Sequence, residues 1–396
     1  MYLTKEEEGM LNGEQGDVVQ RNMRLIVRLG DIYKADRMIP IGSVQVAGVS
    51  YKSIGDPGTE YLEDIAIKGA KVRVPTFLNP TGMDMLDWKK LGFSEKFAKN
   101  QIRIMDAFGK MGVVLSATCT PYLVGNLPRF REHIAWSESS AVCFANSVIG
   151  AMTNREGGPS ALAAAICGRT PNYDLHLDEK RVPQLVVQVD AELKHNADYG
   201  ALGYFLGKAV KNKIPYFRGI KEPDTDNLKA LGAAMAASGA VGLYHIEGCT
   251  PEAALFADKI KDLETVHVSE KDLADTYAKL NTGKDPDIVI LGCPHSSLKE
   301  IATVAKELEG KKLKKPLWVC TSRIMKDAAD RIGLSATIEK AGGHVVADTC
   351  MVVAPIEEMG YKTTGVNSGK AANYLPGFCK QSVVFQDVKE LIRRLS

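Results

Sequence analysis

Apolar and polar positions follow two periods along this chain, and the periods take turns. Over residues 17–34 Val18, Val19, Met23, Ile26, Leu29 and Tyr33 recur at helical spacing, which predicts an amphipathic helix. Ahead of it, Thr4 and Glu7 form a Thr-x-x-Glu capping box that opens a short helix. Val44 and Val46 read as a strand leaving through Gly48, and Thr59 as the cap of a short helix. Residues 71–77 predict a strand, 94–111 a helix, and 112–117 a buried apolar strand running into Thr118-Cys119-Thr120-Pro121.

The alternation continues to the end. Pro159 and Gly168 bracket a helix over 160–167. Strands at 184–189, 215–219 and 241–246 alternate with helices at 197–210 and 226–238, and Thr250-Pro251 opens another helix. The last third predicts strands at 287–291, 316–320, 344–347 and 383–386. Helices are expected at 297–308 and 323–341 (interrupted near Gly333) between them, and at 387–395 after the last. Strands alternating with helices of this length imply βαβ units. The expected fold is therefore α/β, in several α/β/α layers with mostly parallel sheets. The turn-rich stretch 281–287 suggests one boundary, so the expected domains are 1–135, 136–282 and 283–396.

Composition narrows the classes. The chain has 396 residues, 25% charged and 45% hydrophobic, which excludes disordered, collagen-like and coiled-coil proteins. A net charge of +2 provides no broad basic field, so no nucleic-acid or membrane partner is expected. The longest uncharged stretches, 139–154 and 230–246, are too short and too rich in small residues to span a bilayer. The N-terminus has neither a basic nor an apolar signal region, so a cytoplasmic protein is expected.

Familiar cofactor fingerprints are absent. No Gly-x-Gly-x-x-Gly follows a strand, and neither Gly-x-x-x-x-Gly-Lys-Ser/Thr nor His-Glu-x-x-His occurs. Eight cysteines are scattered at 119, 143, 167, 249, 293, 320, 350 and 379, with no Cys-x-x-Cys pair. Most suit buried apolar positions. Cys119, Cys293 and Cys350 each follow a predicted strand, and ligands in open parallel sheets bind beyond the carboxyl ends of strands. Three thiolates with one open position suit an iron–sulfur cluster whose iron acts as a Lewis acid. Cys320 also ends a strand, so position alone does not choose three of the four. A thiol nucleophile, Cys293 beside His295, is the competing chemistry.

Three further places suit anions. Gly48-Val49-Ser50 and Asn79-Pro80-Thr81-Gly82 leave strands through turns whose backbone N–H groups can cradle a phosphate or carboxylate. Asn367-Ser368-Gly369-Lys370 puts an ammonium in a glycine-containing loop. Arg155 and Glu156 precede a helix N-terminus and suit either an anion site or a bracing ion pair.

At these segments the chain becomes recognisable. Ser137-Glu138-Ser139-Ser140-Ala141-Val142, Phe144-Ala145-Asn146-Ser147, Thr153-Asn154-Arg155-Glu156-Gly157-Gly158-Pro159-Ser160 and Gly168-Arg169-Thr170-Pro171 resemble the central signature of aconitase X. Gly48-Val49-Ser50-Tyr51, Thr118-Cys119-Thr120-Pro121-Tyr122 and Asn367-Ser368-Gly369-Lys370-Ala371 fit the same family. The resemblance implies an aconitase-superfamily-like fold and an iron–sulfur hydro-lyase. Family members dehydrate either cis-3-hydroxy-L-proline, usually as one fused chain, or mevalonate 5-phosphate, as a large and a small subunit. The length here resembles the large subunit alone. By motif, Cys119, Cys293 and Cys350 would hold a [4Fe-4S] cluster, isolable as [3Fe-4S]. Gly48, Val49, Ser50, Asn79, Pro80 and Lys370 would contact a small anionic substrate. The resemblance puts the general base on a separate small swivel-domain subunit, leaving no catalytic base assigned on this chain.

Overall fold

The structure is a computed structural model and describes residues 1–395. Three parallel sheets and one short antiparallel ladder organise it. The first sheet runs Thr76–Leu78, Val44–Val46, Ala135–Trp136; the second His245–Ile246, Pro215–Arg218, Leu185–Val189, Thr265–Val268. The third has five strands in the order Gly343–Ala347, Leu317–Thr321, Ile288–Leu291, Thr363–Val366, Ser382–Phe385. The antiparallel ladder joins Met38–Pro40 to Arg169–Pro171. This is the expected layered, mostly parallel α/β architecture. The boundary expected at 135/136 falls inside the strand Ala135–Trp136. Helix Gly158–Cys167 buries Ala161, Leu162 and Ile166 in one core with Val44 and Val46 of the first sheet, so the chain stays with that sheet well past residue 136.

Where pattern and caps agree, the elements form as read. Thr4 and Glu7 close their capping box on helix Lys5–Asn12, and Ser94 caps Glu95–Lys110. Four of the third sheet's five strands follow the predicted ones closely, because Val289, Leu291, Val304, Leu317, Val319 and Leu391 meet in one fully buried core, whereas the strand Thr363–Val366 and the helix Gly369–Cys379 after it are not foreseen in the sequence. Helices Asn196–Val210 and Thr225–Gly239 cross at glycines: a Cβ on Gly239 would lie 2.0 Å from the Gly207 carbonyl oxygen.

Other expectations fail for identifiable reasons. The strand expected at 112–117 does not form. The Ser116 hydroxyl accepts the Leu78 N–H (3.0 Å) and donates to the Leu78 carbonyl (3.1 Å), taking the place of a backbone partner. Ala117 then turns with φ +41°, and Val114 and Leu115 are about half exposed. Of 71–77 only Thr76 and Phe77 are strand, in Thr76–Leu78, and of 241–246 only His245–Ile246. Thr59 is not a cap. The run Tyr51–Ile67 breaks at Gly55 (φ +57°); Thr59 lies inside the second segment, donating to the Gly55 carbonyl, and Ser50 caps only the first. Thr250 accepts the Ile246 N–H in a turn, so the helix expected there shrinks to the single 3-10 turn Ala253–Phe256.

The first and third sheets meet through loops at their carboxyl ends. The Thr81 N–H donates to the Asp348 carbonyl (2.8 Å) and the Cys350 N–H to the Thr81 carbonyl (3.1 Å). Helix Gly369–Cys379 closes the junction. It approaches Asn196–Val210 so closely that a Cβ on Gly369 would sit 2.3 Å from the Gly200 oxygen.

Candidate active site

The sheet junction gathers the three thiols singled out above. Cys119 follows the irregular segment 112–118 rather than a strand, Cys293 lies two residues beyond Ile288–Leu291, and Cys350 three beyond Gly343–Ala347. All three are free; Cys119 and Cys293 are buried, and each thiol feels the charge of both Lys370 and Glu138. Burial raises all three thiol pKa values, that of Cys293 to about 12. The Cys119 sulfur accepts the His295 N–H at 3.2 Å. Among the described residues, no three His, Cys, Asp or Glu side chains converge as the ligands of one metal ion do. Cys320 differs in kind: it sits inside strand Leu317–Thr321, fully buried among core side chains.

His295 is not a partner for Cys293. Its Nε2 faces the Thr349 carbonyl at 2.9 Å, which only accepts, so Nε2 carries the proton. Its Nδ1 meets the Thr118 hydroxyl at 3.0 Å and accepts from it. Burial lowers its pKa to about 4, and both nitrogens are committed. The imidazole is a strut between the Cys119 and Cys350 segments, and the nucleophile–base reading loses its base.

A second layer, polar and unforeseen in the sequence, surrounds Lys370. This residue is not in a loop. Ser368 caps helix Gly369–Cys379, and Lys370 occupies its first turn, 7% exposed. Its ammonium pairs with Glu138 Oε1 and donates to the Ser140 hydroxyl at 3.2 Å. Glu138 also accepts from Asn79 Nδ2 (2.8 Å) and the Ser139 hydroxyl (3.2 Å). Burial alone would raise the Glu138 pKa, but the Lys370 charge and these hydrogen bonds outweigh it and bring it to about 2. Burial would likewise lower Lys370, and the Glu138 charge outweighs that and holds it charged. Gln45, wholly buried, joins the group: its Nε2 donates to Asn79 Oδ1 (3.1 Å) and its Oε1 accepts the Glu138 N–H (2.9 Å).

The Gly48–Ser50 loop forms the third part. Gly48 turns with φ +78°. Among the described residues nothing accepts a hydrogen bond from the backbone N–H of Gly48, Val49 or Ser50, which leaves three consecutive donors. The Ser50 hydroxyl is committed elsewhere, donating to the Val353 carbonyl (2.8 Å) and capping Lys52 N–H. Buried Gln101 staples this loop to the next: Nε2 donates to the Val49 carbonyl (2.9 Å), and Oε1 accepts from Tyr51 N–H and Gly82 N–H (3.1 Å each). Pro80 is buried in the turn after Asn79. Arg155 and Glu156 do not pair: Arg155 is exposed, and Glu156 turns inward to the hydroxyls of Ser160 (2.6 Å) and Thr170 (3.2 Å).

All nine residues picked from motifs thus line one junction or its two loops. Gln45, Gln101 and Glu138 are additions of the tertiary structure. Glu138 stood in a quoted motif, but a lone glutamate beside serines carries no local sign of a lysine 232 positions away.

One family matches this chain along its length. Models of the aconitase X first, second and third domains match residues 1–179, 183–278 and 286–396, and the chain belongs to the aconitase X family. It is 56% identical to a protein of Methanocaldococcus jannaschii named phosphomevalonate dehydratase large subunit, over 99% of this chain and 100% of that one. It is 34% identical to a Pseudomonas aeruginosa protein named cis-3-hydroxy-L-proline dehydratase, covering 96% of this chain but 67% of that one. Its structure is similar to the crystal structure of Thermococcus kodakaraensis aconitase X in the holo-form. The TM-score is 0.94, with 49% identity and complete coverage of both chains. No helix among the described residues is long and apolar enough to cross a membrane.

Proposed function

We propose that this chain is the large subunit of a phosphomevalonate dehydratase, an iron–sulfur hydro-lyase. It would convert (R)-5-phosphomevalonate to trans-anhydromevalonate 5-phosphate and water in the archaeal form of the mevalonate pathway. The observation that carries this reading is the match at 56% identity with a large subunit, against 34% with the hydroxyproline enzyme. The partner is a small swivel-domain subunit, which supplies the general base, and the location is the cytoplasm.

The donor set fits a cluster: three free thiols on three loops, with a backbone N–H donated to one sulfur. Cys119, Cys293 and Cys350 are the proposed ligands, and [4Fe-4S] the proposed nuclearity. When bound, the cluster supplies a Lewis acid for departure of the C3 hydroxyl. The chain's own residues do the rest of the positioning. The free N–H groups of Gly48, Val49 and Ser50 take one anionic end of the substrate. Asn79 and Lys370 take the other, and donors held there stabilise enolate-like charge at the carboxylate. His295 and Gln101 keep the loops in register.

The test is anaerobic reconstitution with the small subunit, iron and sulfide. Replacing Cys119, Cys293 or Cys350 with Ser should abolish iron and sulfide binding, whereas Cys320→Ala should retain both. A folded Cys320→Ala protein without iron would show that the wrong strand end was chosen. Wild-type complex that dehydrates cis-3-hydroxy-L-proline and not mevalonate 5-phosphate would overturn the substrate.

A further inference from the structure

Glu138, Gln45 and Asn79 form a closed hydrogen-bonded ring whose direction is decided by the backbone. The N–H of Glu138 can only donate, so the Gln45 atom facing it is the carbonyl oxygen, at 2.9 Å. The Gln45 amide nitrogen must then face Asn79, 3.1 Å away, and the Asn79 atom meeting it must be oxygen. That turns the Asn79 nitrogen toward the Glu138 carboxylate, which can only accept, at 2.8 Å. The ring begins and ends on Glu138 and admits a single orientation of both amides.

The carboxylate that closes the ring also holds Lys370. Glu138 Oε2 takes Asn79, and Oε1 takes the lysine. An ammonium has three donors, and Lys370 uses two, on Glu138 and Ser140. An amide nitrogen has two, and Asn79 uses one. Each residue therefore keeps one N–H, and the two nitrogens are held side by side by one carboxylate.

We infer that Glu138 and Gln45 are positioning residues that turn Asn79 and Lys370 into a donor-only pair for an anionic substrate group with two acceptor oxygens. This deepens the dehydratase reading and rests on it for the substrate used below. Sites built from fixed donors discriminate strongly, because a misturned amide presents an acceptor to an anion.

The experiment uses the reconstituted two-subunit enzyme, with thermal melts and steady-state dehydration of mevalonate 5-phosphate. Glu138→Gln is isosteric but offers Asn79 a donor against its donor. Gln45→Glu offers an acceptor against an acceptor, without touching Lys370. Each single variant should lower Tm and raise KM, about tenfold for Glu138→Gln, with kcat changed less. The double variant Gln45→Glu/Glu138→Gln keeps the net charge and restores the ring with its two side-chain bonds reversed, while the backbone N–H of residue 138 still donates to residue 45. Its Tm should return toward wild type while KM stays high, because Asn79 is now turned over. A purely structural ring would restore both together, and that result, or an unchanged KM in Gln45→Glu, would overturn the inference. If Glu138→Gln does not fold, Gln45→Glu and the double variant still decide. A wild-type complex inert toward mevalonate 5-phosphate would count against the function instead, and the melts would still test the ring.

Discussion

Two glutamates each hold a buried cation in this protein, Glu252 fully buried and Glu138 with its side chain 14% exposed, and the two networks differ in what they leave unused. Around Glu252, Arg181 is 0% exposed and spends every N–H it has. Nε bonds the carboxylate, Nη1 bonds Asn146 Oδ1 and the Leu175 carbonyl, and Nη2 bonds the Asn146 and Ala151 carbonyls and Glu252 Oε2. Arg131 adds a second ion pair to the same glutamate. Around Glu138, Lys370 and Asn79 each keep a donor. A saturated network can only brace the fold. An unsaturated one beside three thiols and a loop of free N–H groups keeps donors within the protein that an anionic group can take. Burial and charge alone do not separate the two; the count of spare donors does.

The comparison breaks most visibly at Arg181. Arg181→Met leaves Glu252 facing Arg131 alone and strands the Asn146 and Ala151 carbonyls, which should cost about 3–5 kcal/mol. Chemical denaturation reads the loss, and KM of the surviving enzyme should stay within about twofold. A large KM change with little loss of stability would erase the distinction. Next in size is Lys370→Ala. Glu138 keeps its Asn79, Ser139 and Ser140 donors, so stability should fall less than in Arg181→Met. The lost charge-assisted bond contributes about 1.5–3 kcal/mol, so substrate affinity should fall about tenfold or more. Unchanged kinetics would remove Lys370 from the site and leave Gly48–Ser50 as the anion contact.

The smallest effect sharpens the contrast by pH. Near Arg181, burial lowers His245 to about 4 and His176 to about 3, both below the ordinary 6.5. Below pH 6.5 the unfolded chain binds these protons first, so stability falls as pH drops toward 4, by up to about 1.4 kcal/mol per unit for each group. Glu138 acts in a lower window. Its pKa of about 2 against an ordinary 4.5 contributes stability above pH 4.5 that is lost as pH falls through 4.5 toward 2. Melts across pH should show His245→Gln flattening the upper slope and Glu138→Gln only the lower. Exchange of those windows would mean that the two networks are not separate.

Much of the architecture is legible in the sequence alone. Four strands of the third sheet follow from pattern and caps because they are short apolar runs next to capped amphipathic helices, where local preference and burial agree; the fifth, Thr363–Val366, reads Thr-Thr-Gly-Val and carries too little apolar signal to be seen. The segment 112–117 was misread for the opposite reason: an apolar run looks like a strand whether or not a partner is free, and here the Ser116 hydroxyl takes the partner's place. The cysteines illustrate the same limit. Order along the chain put four thiols after or within strands, and only the packing of Cys320 inside the third sheet sets it apart from the three in loops.

The sequence by itself determined the layered α/β class, the family, and the motif residues proposed to carry the chemistry, since these are local patterns of hydrophobicity, turns and residue type. Only the tertiary structure decided what those residues face. The Glu138–Lys370 pair spans 232 positions and the Cys119–His295 contact 176, and no local rule couples such distant choices. The direction of the Gln45–Asn79–Glu138 ring is settled by one backbone N–H, and a backbone donor acquires a partner only once the chain has folded around it.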